Sequence, residues 1–114
     1  MRVYISGPIT GTEDYIVQFW TIDRELKEAG YDVINPAKVC ARLPVDFSHD
    51  DYMHVCFAML DLCDAIFMLD GWEQSDGATR EAAYASAMNI PELTADEIRE
   101  AVNKKMTKNE GAME

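Results

Sequence analysis

Basic side chains are scarce in this chain. Ten Lys and Arg stand against twenty-one Asp and Glu, which gives a formal net charge of -11. Such a balance argues against a nucleic-acid polymer or an anionic membrane as partner. The sequence also lacks an apolar run near the roughly 20 residues of a membrane-spanning helix, and it opens in a β-rich segment rather than a signal peptide. We therefore expect a cytoplasmic protein that binds a small molecule.

Cysteine and histidine are also few, with three and two residues. Cys40, Cys56 and Cys63 have neither the C-x-x-C spacing of a zinc site nor the even count of a disulfide framework, so we expect them to be buried as small apolar side chains. His49 and His54 are five residues apart, which is poor spacing for shared metal ligation on a helix. We expect both histidines to be structural or exposed, and we predict no metal site and no cofactor.

Short apolar runs alternate with helical segments along the chain, which predicts parallel βαβ units. The expected fold is α/β: a small three-layer flavodoxin-like or Rossmann-like domain, with a parallel sheet of three to four strands and helices on both faces. Such a narrow sheet leaves apolar helix faces uncovered, so we expect a homodimer or higher homo-oligomer. The predicted strands are 3–5, 31–34 and 65–69, with a short fourth at 89–93.

Caps and breakers predict where the helices begin and end. Thr12 is placed to cap the first helix, and Gly30 to stop it. The segment 37–49 shows little periodicity, so we expect a long loop that could act as a lid over a site. Asp50 or Asp51 is expected to cap the helix that follows.

The last helix has the clearest start. Thr94 and Glu97 form a capping box, and the helix is expected to end near Lys105, where lysines complement its negative end. Residues 106–114 are polar and predict a disordered tail. The domain is therefore expected to span residues 1–105.

A turn of small residues follows the run 65–69 and opens an alanine-rich helix. In open α/β sheets, ligands bind beyond the carboxyl ends of the strands, where helix N-termini offer free N–H groups. Ser75 and Gly77 occupy this position, and Glu81 lies one turn further in. Glu81 is either the nucleophile of a site at this edge or a solvated helix residue, and its spacing supports both interpretations equally.

The loop after the first strand, Ser6 to Gly11, belongs to the same edge. In a parallel sheet the ends of the first and third strands are neighbours, so this loop and the turn at Ser75–Gly77 should face one crevice. The loop lacks the Lys of a P-loop and the full G-x-G-x-x-G of a dinucleotide fold. Taken alone, it predicts only a tight turn.

Four motifs together resemble a known group. They are Y-I-S-G-P-I-T-G at the start, V-I-N-P-A, the strand C-D-A-I-F-M-L, and G-W-E-Q-S-D-G-A-T-R-E. The chain resembles, over about residues 1–90, small phage and bacterial proteins of unknown function related to nucleoside 2-deoxyribosyltransferases. Characterised relatives include 2'-deoxynucleoside 5'-monophosphate N-glycosidases and CMP hydrolases, in which a helix-borne Glu attacks the anomeric carbon.

The resemblance implies roles for individual residues. It assigns the nucleophile to Glu81 and its orientation to Tyr4, and it assigns sugar or phosphate contacts to the two turns. The sequence departs from the pattern of this group at two points. Thr10 stands where the nucleotide hydrolases carry an Arg. The carboxylate that helps to protonate the leaving base in relatives falls near Cys56 or Phe57, neither of which is acidic. Asp50, Asp51, Asp70 or Asp76 would have to replace that acid. The predicted substrate-binding residues are Ser6, Gly7, Pro8, Ile9, Thr10, Gly11, Asp70, Trp72, Ser75 and Gly77.

Two of these residues carry alternatives. Asp76 is predicted either to protonate the leaving base or to cap its helix, and Trp72 either to stack on a base or to serve the core or a dimer contact. The expected function is an N-glycosidic bond hydrolase or deoxyribosyltransferase that uses a Glu nucleophile. The alternatives are a non-catalytic nucleotide-binding module of the same fold and a phage accessory protein that acts through protein contacts.

Overall fold

Three parallel strands form the centre of the fold in a computed structural model, which describes residues 1–8 and 14–113 and the side chains of 1–8 and 15–106. Strand β1 (Arg2–Ser6) lies between β2 (Asp32–Ile34) and β3 (Ala65–Met68). Tyr4 pairs with Ile34 on one side and Ile66 on the other. The expected fourth strand at 89–93 is reduced to one parallel bridge, Ile66 with Glu92.

Five helices surround the sheet in the described part of the chain. None of them is long and apolar enough to cross a membrane. A 3₁₀ turn (Trp72–Gln74) precedes the fourth helix. The helices are α1 (Asp14–Glu28), α2 (Pro36–Cys40), α3 (His49–Leu60), α4 (Asp76–Ala87) and α5 (Ala95–Met113).

The strand residues alternate between two apolar layers, as the period of a β-strand requires. Val3 and Ile5 of β1 pack in one cluster with Phe19 of α1 and Ile98 of α5. Tyr4 packs in the other cluster; its members from α3, β3 and α4 include Cys56, Leu60, Ile66 and Ala85. Helices therefore cover both faces of a small parallel sheet, and the predicted three-layer α/β class is confirmed.

The predicted lid loop contains a helix. Asn35 ends β2 and caps α2, since its side-chain oxygen accepts the N–H of Ala37 at 3.1 Å, and Pro36 occupies the first helical position. Proline is favoured there because its missing N–H would have no helical partner. The Asn-Pro pair thus starts a helix as well as ending a strand, and only residues 41–48 connect α2 to α3.

The start of α3 also differs from the prediction. Neither Asp50 nor Asp51 is the N-cap; Ser48 is. The Ser48 hydroxyl accepts the Asp51 N–H at 3.1 Å, and the Asp51 carboxylate accepts the Ser48 N–H at 2.8 Å. This reciprocal capping box satisfies two free donors at once, which is why the cap lies one turn earlier than expected.

The ends of the other helices follow the prediction in part. Gly30, with φ of 98°, follows the end of α1, and Thr94 accepts the Glu97 N–H at 3.2 Å as the predicted cap of α5. The predicted helix end near Lys105 is wrong, because α5 continues to Met113. Lys105 instead donates to the carbonyl oxygen of Glu28, the last residue of α1, at 3.1 Å. The Thr12 cap lies outside the described residues.

Candidate active site

Glu81 lies inside the protein rather than on a solvated helix face. Ser75 is the N-cap of helix α4, and its hydroxyl accepts the N–H of Ala78 at 3.2 Å. Glu81 follows in the second turn of this helix, on the side that faces the sheet, and is only 3% exposed. The structure therefore decides between the two interpretations of Glu81 in favour of a buried carboxyl group.

Two hydroxyl groups of β1 hold this carboxyl group. The Tyr4 hydroxyl donates to Glu81 Oε2, and the Ser6 hydroxyl donates to Oε1 at 3.0 Å. Tyr4 and Ser6 are two residues apart on one strand, so their side chains project from the same face of the sheet. Both residues are fully buried. Each oxygen of Glu81 thus has a donor, and the orientation of the carboxyl group is fixed by the central strand.

Burial dominates the protonation of this group. Removal from water raises the pKa of Glu81 to about 8, although the hydrogen bonds from Tyr4 and Ser6 act in the opposite direction. Burial, together with the neighbouring Glu81, raises the pKa of Tyr4 well above its ordinary value. Tyr4 therefore keeps its proton and remains a donor, while Glu81 can be protonated or ionised near neutral pH.

A cavity of about 490 Å³ opens in front of Glu81. This volume is within the range of small-molecule sites. Its wall is built by the first loop, by helices α2 and α3, and by the start of α4. The predicted site residues on the wall are Gly7, Pro8, Ser75, Asp76, Gly77 and Glu81.

Gly7 lets the first loop reach this cavity. A Cβ atom at position 7 would lie only 2.8 Å from the Cβ and Cδ1 atoms of Leu69, at the end of β3. Only a glycine lets the backbone approach this closely. The two predicted turns therefore meet at the edge of the sheet, and of the first loop Ile9, Thr10 and Gly11 lie outside the described residues.

Three predicted contact residues do not line the cavity: Ser6, which is fully buried, Asp70 and Trp72. Asp70 is exposed and Trp72 is half-buried in the 3₁₀ turn, and neither belongs to the wall. Gly71, with φ of 83°, turns the chain after β3 so that Gln74 is the first wall residue of this segment. This left-handed turn, which glycine adopts at little cost, leads the chain around Asp70 and Trp72 so that neither side chain lines the cavity.

Charged side chains meet at the rim where α3 and α4 begin. Asp76 lies on the cavity wall, but it does not cap α4, because Ser75 does. Asp76 Oδ2 is 3.1 Å from Arg80 Nε and 3.4 Å from His49 Nε2. The Arg80 Nη1 atom also lies 3.4 Å from Asp50 Oδ1. The four residues tie the first turn of α3 to the first turns of α4.

The start of α4 also offers backbone donors to the cavity. Within the described residues, the N–H groups of Asp76 and Gly77 have no hydrogen-bond partner. Free N–H groups at a helix N-terminus bind anionic or hydroxyl oxygens. Together with Glu81, they place donors and a carboxyl group in one cavity.

Two thiols lie on the wall beside the carboxyl group. Cys56 is buried, as expected, whereas Cys40 is only half-buried. The Cys40 thiol and burial together raise the pKa of Cys56, whereas the interaction with Cys56 lowers the pKa of Cys40. Cys40 is therefore the more acidic thiol of the pair.

The family to which this chain belongs follows from comparison with known proteins. The family described as "Domain of unknown function (DUF4406)" matches residues 1–93. The chain belongs to this family. Among solved structures, the DUF4406 chain is similar to the 2-deoxyribosyltransferase of the psychrotolerant bacterium Bacillus psychrosaccharolyticus, with a TM-score of 0.65 and 14% identity over 90% of this chain and 82% of the other. Comparison with curated proteins gives no match.

The similarity confirms the expected relationship and fold. At this identity it shows that the DUF4406 domain has the fold of a 2-deoxyribosyltransferase. That enzyme is described as a biocatalyst for the synthesis of antiviral and antitumoral nucleosides. The predicted resemblance, which was drawn from four short motifs, is therefore confirmed.

Sequence reasoning missed several wall residues of the DUF4406 site. Because α3 is followed directly by β3, it runs antiparallel to the strands and begins at their carboxyl edge. The order of α3 and β3 in the sequence is therefore a signal that places the start of α3 at the cavity. The missed residues are Tyr15, Ala37, Cys40, Ala41, His49, Tyr52, Met53, Cys56, Gln74 and Ala78.

Proposed function

We propose that this chain cleaves or transfers the N-glycosidic bond of a nucleoside or nucleotide, with Glu81 as the nucleophile. The observation that carries the proposal is the Glu81 carboxyl group on a cavity wall, buried and held at both oxygens by Tyr4 and Ser6. A surface glutamate would have many orientations. A carboxyl group fixed in this way has already lost the rotational freedom that an attack must otherwise remove.

The reaction that this arrangement supports has two steps. One Glu81 oxygen forms a bond to C1' of the sugar while the C1'–N bond breaks, and the electron pair of that bond goes to the base, which takes up a proton. Water, or the nitrogen of a second base, then attacks C1', and the Glu81 carboxylate leaves. Hydrolysis or transfer results according to the second nucleophile.

The two hydroxyl groups assist the second step. Tyr4 and Ser6 donate to the carboxylate oxygens and stabilise the charge that returns to Glu81 when the glycosyl ester breaks. In the first step, the transition state carries positive charge near C1', and this charge favours the ionised form of the carboxyl group. The positive charge of the reacting substrate thus offsets the effect of burial, which raises the pKa of Glu81 to about 8 in the free protein.

The decisive experiment measures both chemistry and a covalent adduct. The protein is incubated with the four common 2'-deoxynucleosides, their ribonucleoside counterparts and the 5'-monophosphates, and released base is separated by liquid chromatography. Glu81→Gln has almost the same volume, so its fold should be kept, and we expect it to lose activity by at least about a hundredfold. Release of base at an equal rate by the variant would overturn the role of Glu81.

A trapped intermediate provides independent support. A 2'-fluoro-2'-deoxyarabinosyl nucleoside carries an electron-withdrawing group that slows breakdown of a glycosyl ester. We expect intact-mass spectrometry to show one added glycosyl group on the wild type and none on Glu81→Gln, with the modified peptide containing Glu81. An adduct on another residue would assign the nucleophile elsewhere.

A non-catalytic binding module is the second candidate function. It is favoured by the pKa of Glu81 near 8, because the free protein then holds most of its Glu81 protonated at pH 7. A protonated carboxyl group binds sugar hydroxyls but does not attack C1'. Calorimetry that shows nucleoside binding, without base release at any pH between 6 and 9.5, would support this function over catalysis.

A further inference from the structure

The proposed chemistry leaves one role without a residue. The base departs well only when it takes up a proton, and a side chain on the cavity wall must supply it. Tyr4 is committed as a donor to Glu81. Of the described wall residues, His49 and Asp76 form a pair at the rim, with His49 Nε2 3.4 Å from Asp76 Oδ2 and the His49 side chain 58% exposed.

The contacts distinguish the two members of this pair. Asp76 Oδ2 also receives the Arg80 side chain, whose Nε atom is 3.1 Å away. With an imidazole nitrogen and a guanidinium nitrogen both within 3.4 Å of Asp76 Oδ2, the carboxylate is the anionic partner in this cluster. Among the described residues, the polar contact of the His49 imidazole is the approach of Nε2 to Asp76, so Nδ1 is the nitrogen left for a ligand.

The imidazole also lies at a suitable place relative to Glu81. A Cβ atom on Gly77 would be 3.8 Å from His49 Cε1, so the ring lies against the first turn of α4. Gly77 and Glu81 are four residues apart and therefore share one face of this helix. The imidazole thus lies against a helix position about one turn, roughly 5 Å along the helix axis, before residue 81, and both side chains line the same cavity.

We propose that His49 donates the proton to the leaving base and that Asp76 is the positioning residue for its imidazole. The proposal rests on the proposed function. In the first step, the proton on Nδ1 of the imidazolium passes to the base nitrogen that receives the electron pair of the C1'–N bond. A neutral imidazole remains, with its other N–H at Nε2, near Asp76. In hydrolysis, the attacking water gives a proton back to the imidazole as its oxygen bonds to C1' and Glu81 leaves.

The test compares two leaving groups and two histidines. An N7-methylated purine nucleoside departs as a neutral base without protonation, whereas the parent nucleoside needs a proton. We expect His49→Gln to lower kcat on the parent by roughly a hundredfold or more and to change kcat on the methylated substrate less than about threefold. His54→Gln is the matched control, because His54 is exposed on the same helix and is not a wall residue, and both substrates should react normally.

The outcomes are separable. Equal losses of His49→Gln on both substrates, or no loss on either, overturn the proposal. Asp76→Asn should show the same leaving-group pattern with a smaller loss of kcat, about tenfold, and little change in KM. If Glu81→Gln turns over both substrates like the wild type, the proposed function fails and not the assignment of the base contact.

A binding measurement tests that contact without turnover. Free purine or pyrimidine base is titrated into ¹⁵N-labelled protein, and the imidazole resonances are followed by NMR, with assignment from His49→Gln and His54→Gln. We expect the His49 signals to shift and those of His54 to stay. Signals of His49 that do not respond to any base, whether the base binds or not, would overturn the proposal.

Discussion

Tyr4 and Glu81 are hydrogen-bonded across 77 positions of sequence, and this bond joins the central strand to the helix that carries the candidate nucleophile. The bond is possible because β1 and β3 are adjacent and parallel, so that the helix after β3 begins beside the end of β1. A position that the fold fixes so directly is suited to a group whose orientation decides a reaction. The same buried position should make the free energy of unfolding depend on pH, which is the first prediction.

Glu81 is expected to make the protein less stable as pH rises. Its pKa is raised from 4.5 to about 8 in the folded state, so between these values the unfolded chain loses a proton that the folded chain retains. Stability from this group is present below about pH 4.5 and is lost as pH rises through 8. Each pH unit in this window corresponds to about 1.4 kcal/mol at most.

Glu81→Gln removes this dependence. We expect urea unfolding at pH 8.5 to show the variant gaining on the wild type by a few kcal/mol relative to pH 4.5. Glu73→Gln, an exposed carboxyl group, is the control and should follow the wild type. Parallel stabilities of wild type and Glu81→Gln at the two pH values would show that burial does not raise this pKa.

Part of the position of the candidate site could be predicted from the sequence. Glu81, Ser75 and Gly77 follow from a strand run and a small-residue turn, because a parallel sheet must gather such turns at one edge, whereas the link of Tyr4 to Glu81 is implied only by the family resemblance. His49 could not be recognised in the same way, since its proximity to Asp76 depends on how α3 packs against α4. Long-range packing of this kind leaves no periodic signal in the chain.

Some helix and strand boundaries differ from the prediction because the same residues are compatible with two local structures. Asn35-Pro36 reads as a strand end and also begins a helix, and Lys105 reads as a helix end although it binds the carbonyl of α1. Its position after β3 predicts for Trp72 either a base contact or a place in the core or a dimer contact, but the direction of the chain after Gly71 depends on a single left-handed φ. For Glu81, in contrast, the sequence is equally compatible with a buried and with a solvated side chain, and the packing of α4 on the sheet decides between them.

A second prediction concerns Asp23, which connects α1 to the wall helix α2. Its carboxylate is 2.8 Å from Lys27 Nζ and 3.1 Å from Lys38 Nζ, and it accepts from Asn35 at 3.0 Å. Burial opposes ionisation, but these three partners together lower the pKa of Asp23. Since Asn35 caps α2, we expect Asp23→Ala to lower the free energy of unfolding by about 2 kcal/mol.

Urea unfolding at neutral pH tests this. Glu25→Ala is the matched control, because Glu25 is an exposed residue of the same helix, and it should change stability by less than about 0.5 kcal/mol. The lowered pKa also sets the direction of the pH dependence. The Asp23 carboxylate stabilises the fold above the pKa that it has in the unfolded chain, and this stabilisation is lost as pH falls through its pKa in the folded protein. Equal effects of the two variants would show that this network does not hold α2.

The thiols give a third prediction. Interaction with Cys56 lowers the pKa of Cys40, whereas burial raises the pKa of Cys63 to about 11. Because the thiolate is the reactive form, iodoacetamide at pH 7.5 should modify Cys40 first, and a bound nucleoside should slow the reaction at this wall. Peptide mapping by mass spectrometry identifies the site, and Cys56→Ala should slow it as well. Earlier modification of Cys63 would contradict this order.

Self-association is the fourth prediction. Ile16, Val17 and Trp20 are exposed on α1, where they form an apolar surface that a second copy could cover. We expect light scattering to show a dimer or larger assembly at micromolar concentration, and Val17→Glu to shift it towards monomer. Val45→Glu is the control, since Val45 is fully exposed in the connection between α2 and α3. Only monomer in the wild type would exclude the assembly.

The last prediction concerns phosphate. The described wall residues include no Lys or Arg, and the sequence of residues 9–13 contains none. Arg80 is occupied by Asp76 and Asp50. Neutral donors bind phosphate less strongly and less selectively than an Arg pair does, and the carboxylate of Asp76 on the wall repels a dianion. We therefore expect a nucleoside to bind about as tightly as its 5'-monophosphate.

Calorimetry on Glu81→Gln, which should bind without turnover, compares the two ligands directly. A difference within roughly tenfold in Kd, about 1.4 kcal/mol, is the expected result. If His49→Gln keeps a stronger preference for the monophosphate, the wall imidazole is not its source, and a cation outside the described wall reaches the ligand, with Arg42 or Arg80 as the source. Arg80→Gln then separates the two: if the preference disappears, Arg80 has left its carboxylate partners to bind phosphate, and if it persists, Arg42 becomes the residue to replace.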